Sequence, residues 1–349
     1  MIALCSRDDV LCWLRERSAT RLEELWRAAD ETRRANVGDA VHLRGLIEIG
    51  NVCARQCAYC GIRAGNTGLV RYRMGADEVL DCARRALSLG YGTVVLQAGE
   101  DRGFTREWVS DVVRCIRAET PLAITLSLGE REDGDLAAWR AAGADRYLLR
   151  FETSDAALYN RIHPPLPGAT RDRFAILRRL RELDYEVGSG VMVGIPGQSW
   201  RALANDLWTF RELDLDMIGL GPYIPHPSTP LGTGGMPDAG AEQVPADEDT
   251  VLRCLALARL LRPDANIPST TALATINKAT GRERGLQRGA NVVMPNLTPV
   301  RYRALYEIYP AKACLDETAE HCAGCLRARI QSVGRTIGFG PGPRRGRGA

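Results

Sequence analysis

The sequence has no run of about 18 consecutive apolar residues, so no membrane-spanning helix is expected. Its opening, MIALCSRDDVLCWL, has too short an apolar stretch and too many acidic residues for a secretory leader, and the expected location is cytoplasmic. A dominant charge of one sign is also missing. A net charge of +3 over 349 residues gives no footprint for nucleic acid or a membrane surface, and neither partner is expected. Lysine is scarce beside arginine, which we read as compositional bias. There is no internal repeat. With 45% hydrophobic and 26% charged residues, the chain reads as globular, long enough for one large barrel or two ordinary domains.

Eleven cysteines stand out against these absences. Disulfide frameworks belong to small secreted chains, and this chain is neither small nor visibly secreted. Six of the eleven fall into two tight clusters, Cys53/Cys57/Cys60 and Cys314/Cys322/Cys325, which points to metal.

Helical spacing of apolar residues over Asp8–Arg17 and Arg21–Ala35 predicts an N-terminal helical extension. Eight strand-like segments follow: His42–Gly50, Thr93–Ala98, Leu122–Leu128, Asp145–Phe151, Glu186–Gly194, Asp216–Tyr223, Asn266–Thr271 and Ala290–Met294. They alternate with helical stretches such as Ala76–Leu89, Arg106–Glu119, Arg171–Leu183, Ser199–Leu213 and Asp247–Arg262. Such alternation predicts a parallel sheet with crossover helices. Eight units over this length predict a complete (βα)8 TIM barrel, with an open doubly wound sheet as the alternative. The expected organisation is an N-terminal helical extension over 1–40, the barrel over 41–300, a cysteine-bearing extension over 301–335, and a Gly/Pro/Arg-rich tail over 336–349 expected to be disordered and basic.

The first cluster has the spacing C-x3-C-x2-C and sits just after the first strand, at the end of a barrel where active sites are built. A 4Fe–4S cube normally takes four thiolates. Three close thiols hold three irons and leave the fourth open, as a catalytic metal needs. A zinc site or three buried thiols are the plainer readings, but zinc would want a fourth Cys or His in this loop, and there is none. Polar groups recur at the same end of successive strands: Gln97 with Glu100 and Asp101, Ser127 with Glu130, and Arg150 with Glu152, Thr153 and Ser154. Arg173 opens the next helix, where it could pair with a carboxylate.

The cluster spacing, with Tyr59 before the last cysteine, resembles the signature of the radical S-adenosylmethionine (SAM) superfamily. IEIGNVCARQCAYCGIR, VVLQAGED, RYLLRFETS, VMVGIPGQ, LDLDMIGLGPYIPHPSTPLG, IPSTTAL and RGANVVMPNLTPVRYRALYEIYP, in order from Ile47 to Pro310, narrow the resemblance to the HydE family of FeFe-hydrogenase maturases. This resemblance implies several things. Cys53, Cys57 and Cys60 hold a 4Fe–4S cluster that chelates SAM and splits it reductively into methionine and a 5′-deoxyadenosyl radical. Tyr59, Gln97, Ser127, Arg150, Glu152 and Arg173 seat SAM. Thr125, Met192, Met217, Thr270, Thr271, Met294 and Tyr306 line a substrate cavity, although the methionines fit plain core packing equally well. The substrate is a cysteine-bound iron carbonyl cyanide complex or another small molecule. Anaerobic chemistry, an electron donor such as ferredoxin or flavodoxin, and the maturases HydG and HydF as partners follow from the same likeness.

Cys314, Cys322 and Cys325 match an auxiliary site found in many HydE proteins, holding a 2Fe–2S or second 4Fe–4S cluster. His321 stands beside them, and a zinc site of Cys314, His321, Cys322 and Cys325 remains the alternative. Methylornithine synthase shares much of the MPNLTP and YIPHP pattern, so an amino acid or a different metallocofactor stays open as substrate. So does a non-enzymatic iron–sulfur carrier or scaffold. Biotin synthase fits less well, because LAITLSLG and GSGVMVG carry no cysteine.

Overall fold

Near-continuous apolar runs such as TVVLQA suit parallel strands covered on both faces. In the computed structural model, which describes residues 2–166, 172–235, 240–315 and 317–342, these runs form a curled parallel sheet wrapped by helices. In chain order the elements are α1 (Arg7–Leu14), α2 (Ala19–Val37), β1 (Ala40–Gly50), α3 (Ala76–Ser88), β2 (Thr93–Ala98), α4 (Arg106–Glu119), β3 (Ala123–Ser127), α5 (Asp133–Ala142) and β4 (Arg146–Leu148). They continue with α6 (Ala156–Ile162), α7 (Arg173–Glu182), β5 (Glu186–Val193), α8 (Trp200–Glu212), β6 (Met217–Pro222), α9 (Glu248–Leu261), α10 (Thr271–Ile276), α11 (Gly281–Gln287) and β7 (Val292–Val293). Last come α12 (Val300–Arg303), α13 (Ala319–Ser332) and β8 (Thr336–Gly338). The helices start where short polar side chains cap them: Thr105 Oγ1 accepts from Trp108 N, Ser199 Oγ from Ala202 N, and Asp247 from Thr250 N.

The strand order is β6-β5-β4-β3-β2-β1-β7, all parallel. The ring is completed between β6 and β7 by Asn266–Ser269, which makes only single bridges, Met217 to Asn266 and Pro268 to Val292. The expected strand Asn266–Thr271 is therefore not a regular strand. Pro268 has no N–H for a ladder, and Thr270 already caps α10, its Oγ1 accepting from Leu273 N at 3.3 Å. The N-terminal helices lie on the flank: α1 packs on α8 and α2 on α9, with Val10, Leu14, Leu25 and Ala29 fully buried.

The tail departs from expectation. Residues 336–342 are ordered, and 343–349 lie outside the described residues. β8 pairs with the start of β1, Ala40 with Thr336 through His42 with Gly338. The following carbonyls enter the N-terminal end of the barrel. Pro341 O accepts from Thr93 Oγ1 and Arg146 Nη2, and Gly342 O from Arg44 Nη2 and Asn266 Nδ2. Composition conceals this because the segment binds through its backbone, and small residues are what the narrow base admits. A Cβ on Gly92 would lie 1.8 Å from Gly340 O.

Candidate active site

The cysteine loop leaves β1 at the C-terminal mouth and is held by groups from elsewhere in the chain. The Arg71 guanidinium donates to four of its carbonyls: Asn51 and Ile62 at 2.7 Å through Nη1, Arg63 at 2.7 Å and Asn66 at 3.1 Å through Nη2. Gly99, just past β2, lets the loop lie against the strand, since a Cβ there would sit 2.3 Å from Val52 O and 2.8 Å from Cys53 Cβ. Glu100 N donates to Cys53 Sγ at 3.4 Å, and Ala54 N to Glu100 O at 2.9 Å. Tyr59 packs on a small apolar cluster with Leu158, Ile162, Met192, Tyr223 and Leu231.

Cys53, Cys57 and Cys60 all face one cavity of about 370 Å³. Burial pushes all three thiols up, Cys57 to about 12, with neighbouring thiol charge adding to it at Cys57 and Cys60, so without metal they are protonated. A bound metal displaces those protons. The three thiols are not in the one His/Cys/Asp/Glu group, among the described residues, whose ligand atoms all lie within 4.8 Å of one another. Three thiols on one cavity, not all within 4.8 Å of one another, are a donor set whose chemistry suits an iron–sulfur cluster.

The same cavity is lined by Tyr59, Gln97, Ser127, Arg150, Glu152 and Arg173, and by Met192, Thr270, Thr271, Met294 and Tyr306. Two expected cavity residues are elsewhere. Thr125 and Met217 lie one side-chain layer deeper in β3 and β6, outside the lining. Thr125 Oγ1 is buried without a partner, and Met217 Sδ accepts from Arg44 Nη1 at 3.0 Å. The cavity floor begins at Ser127 and Gly219, two residues further along each strand.

Arg173 does pair with a carboxylate, but through a single nitrogen and with Glu130 of the protein itself. Its Nε donates to Glu130 Oε1 at 2.9 Å, Nη1 to Arg150 O, and Nη2 to His163 Nε2. Glu130 Oε2 in turn holds Arg55 Nη2 at 2.6 Å, and Arg55 Nε reaches Glu100 Oε1 at 2.7 Å. Two guanidiniums and two carboxylates thus alternate in a buried, charge-balanced chain that ties the cysteine loop to β2, β3 and α7. Arg55, Glu130 and His163 have no short-range sequence signal for this. Glu152 has φ +64 and is buried beside the cavity; its Oε2 lies 3.3 Å from Arg150 Nη2 without a hydrogen bond, leaving it available to a ligand. A separate ion pair, Lys312 with Glu48, lies in the cavity wall. Lys312 Nζ also donates to Tyr306 O at 3.1 Å, Asn296 Nδ2 to Glu48 Oε2 at 3.0 Å, and Gln97 Nε2 to the Tyr306 hydroxyl at 3.2 Å.

His163 gives a pH signature. Burial, then the charges of Arg173 and Arg55, hold its pKa down to about 2, so the fold keeps it neutral. The unfolded chain binds a proton there below about 6.5, so this contribution to stability is complete above that pH and is lost on acidification. Denaturant unfolding is expected to lose up to about 1.4 kcal/mol per pH unit from this group below pH 6.5, and His163→Gln to flatten that slope. An unchanged slope in the variant contradicts the assignment.

At the C-terminal extension, Cys314, Cys322 and Cys325 line a second pocket of about 580 Å³, and Cys314 and Cys322 also line the main cavity. The ligand group within 4.8 Å is Cys314, Glu317 and Cys322, while Cys325 and His321 are exposed and outside it. The four-residue zinc set with His321 is therefore not assembled.

A barrel with a three-thiol loop at its mouth and polar strand ends around a shared cavity defines the class, and comparison with known proteins agrees. The radical SAM superfamily model matches residues 47–207, and the chain is a radical SAM enzyme. It is 45% identical over 316 residues, 90% of this chain and 87% of the relative, to the FeFe hydrogenase maturase subunit HydE of Thermotoga maritima, and it belongs to that family. In fold it resembles methylornithine synthase (PylB), with TM-score 0.80 at 23% identity over 96% of this chain and 95% of the other. It also resembles the maturase HydG of Carboxydothermus hydrogenoformans, with TM-score 0.77 at 17% identity over 96% and 76%. No helix among the described residues is long and apolar enough to cross a membrane.

Proposed function

We propose that this chain is a maturase for the FeFe-hydrogenase active site, acting on a cysteine-bound iron carbonyl cyanide precursor held in the barrel cavity. The observation that carries this reading is the likeness to HydE over nearly the whole chain. Cys53, Cys57 and Cys60 would hold the cluster, which with SAM bound would relay one-electron reduction and give the 5′-deoxyadenosyl radical. The protein does the rest. Glu152 and Arg150, both in the cavity wall, would take polar groups of SAM, Gln97 and Ser127 would cover its flank from the ends of β2 and β3, and Arg173 would orient Arg150 through its carbonyl. Met192 and Met294 offer a polarisable, apolar wall to a soft iron–sulfur guest. Lys312 and Glu48 are both buried and neutralise each other, so this part of the wall presents no net charge to the guest. Cys314, Cys322 and Cys325 form a second metal site whose wall is shared with the cavity. A ferredoxin or flavodoxin supplies the electron, and HydG and HydF act before and after this chain.

The test is in vitro maturation of an apo FeFe hydrogenase in an extract containing HydG and HydF but no HydE. Reconstituted protein with SAM and reductant is expected to restore hydrogen evolution, and the Cys57→Ser protein is not. If the wild-type protein turns SAM over but restores no hydrogenase activity, the maturase reading fails in favour of another substrate.

A further inference from the structure

Spacing along the chain presents the second cysteine cluster as three thiols, but the structure groups it differently. Ligand atoms sharing one ion at metal–sulfur distances of about 2.3 Å and metal–oxygen distances of about 2.0–2.2 Å must lie within roughly 4.6 Å of each other. Cys314 Sγ, Cys322 Sγ and a Glu317 carboxylate oxygen all lie within 4.8 Å of one another, at most about 0.2 Å beyond that limit and within side-chain adjustment; Cys325 does not join them.

The loop that brings Glu317 there is built rather than loose. Arg303 donates from Nη1 to the carbonyls of both Cys314 and Glu317, and anchors itself on Thr298 O at 2.6 Å and Asn296 O at 2.9 Å. Thr318 then caps α13, its Oγ1 accepting from His321 N at 3.3 Å, which sets Cys322 on the buried face of the first turn. A second feature points to a ligand. Arg282, only 4% exposed, lines the same pocket with its guanidinium against Cys314, and its buried Nη1 makes no hydrogen bond of its own. Two thiolates and a carboxylate on one divalent ion leave a net negative charge, which a buried guanidinium offsets.

We infer that Glu317 is a metal ligand at this site, sharing one metal position with Cys314 and Cys322, with Cys325 as the next thiol along the rim. The metal position is that of a single divalent ion, because an iron of a 2Fe–2S cluster offers only two terminal positions and one of a 4Fe–4S cluster only one, too few for all three side chains. The inference rests on the reading of this extension as metal-binding, and the test separates the two.

The test uses the full chain carrying Cys57→Ser, to silence the first site, with Glu317→Ala, Glu317→Cys or Cys322→Ser added. Each protein is loaded anaerobically with ferrous iron plus sulfide and, separately, with cobalt(II). Metal and sulfide per chain, visible absorption and release to a chelator are measured, with circular dichroism to verify the fold. Cobalt uptake of one ion per chain without sulfide is expected; a stoichiometric iron–sulfide cluster at this site overturns the shared single-ion position. Glu317→Ala is expected to release metal about tenfold faster or more. Glu317→Cys is expected to retain it with stronger thiolate-to-metal charge-transfer bands. If the parent and both Glu317 variants match in spectrum and release while Cys322→Ser loses the metal, Glu317 is not a ligand and the metal reading stands. If the parent retains no metal and Cys322→Ser changes nothing, the metal reading itself falls, and the inference with it.

Discussion

Replacing Cys57 with serine is expected to lower 5′-deoxyadenosine formation from SAM at least about a thousandfold, equivalent to about 4 kcal/mol in the barrier. Cys57 is one of three thiols facing the cavity, and no other cysteine stands in the loop to replace it. Serine keeps the side chain's size but is a far poorer ligand for iron, so only two thiols remain to hold the cube. The loop itself does not depend on the sulfur. Its carbonyls stay on Arg71 and its backbone on Glu100, and the fold is expected to survive. Two controls isolate the effect. Cys254→Ser removes a fully buried thiol in α9 remote from the cavity, and Cys322→Ser removes one at the second site. Neither is expected to reduce SAM cleavage more than a few-fold. The measurement is chromatographic quantitation of 5′-deoxyadenosine after anaerobic reconstitution and dithionite reduction. Comparable loss in Cys322→Ser would mean that the radical step needs the second site as well as the first, contrary to expectation.

Glu130→Leu is expected to destabilise the protein by about 3–5 kcal/mol, because it leaves buried charge without its partner. In the native protein Arg55 and Arg173 face Glu100 and Glu130, two charges of each sign. Without Glu130, two buried guanidiniums face the single carboxylate of Glu100, and Arg173 loses the contact that fixes its Nε. The consequence reaches function through Arg55, which belongs to the cysteine loop. Released from Glu130, it no longer ties that loop to β3, and SAM cleavage by the reconstituted variant is expected to fall with stability. Glu130→Gln keeps an acceptor of the same shape and is expected to lose less of both. Denaturant unfolding of the three proteins at neutral pH makes the comparison. A loss below about 1 kcal/mol in the leucine variant shows that the buried network does not brace the loop.

Much of the fold and site is legible in the sequence, for identifiable reasons. The cysteine loop is a local motif, and its position after the first strand follows from the strand's own apolar run. The same holds for the polar ends of β2 to β4, which are contiguous with the strands that present them. What cannot be read comes from pairs distant along the chain. Lys312 meets Glu48 and Arg55 meets Glu130 only once the barrel curls. No period or spacing announces either pair. Sequence places Thr125 and Met217 one layer too high, because a strand's alternation shows which side chains face inward but not where the filled core gives way to the cavity. The tail misleads because composition reports side chains, whereas Pro341 and Gly342 act through their carbonyls. Glu317 escapes notice for a related reason: cysteine spacing draws attention to thiols, and only the turn before α13 brings a carboxylate to them.

The central claim is that Cys53, Cys57 and Cys60 hold a cluster with one iron open to SAM. Electron paramagnetic resonance of the reduced, reconstituted full-length Cys322→Ser protein, recorded with and without SAM, tests it most directly. One reduced-cluster signal is expected, changing shape when SAM is added and disappearing when Cys57→Ser is also present. A signal indifferent to SAM, with no 5′-deoxyadenosine formed, contradicts the claim.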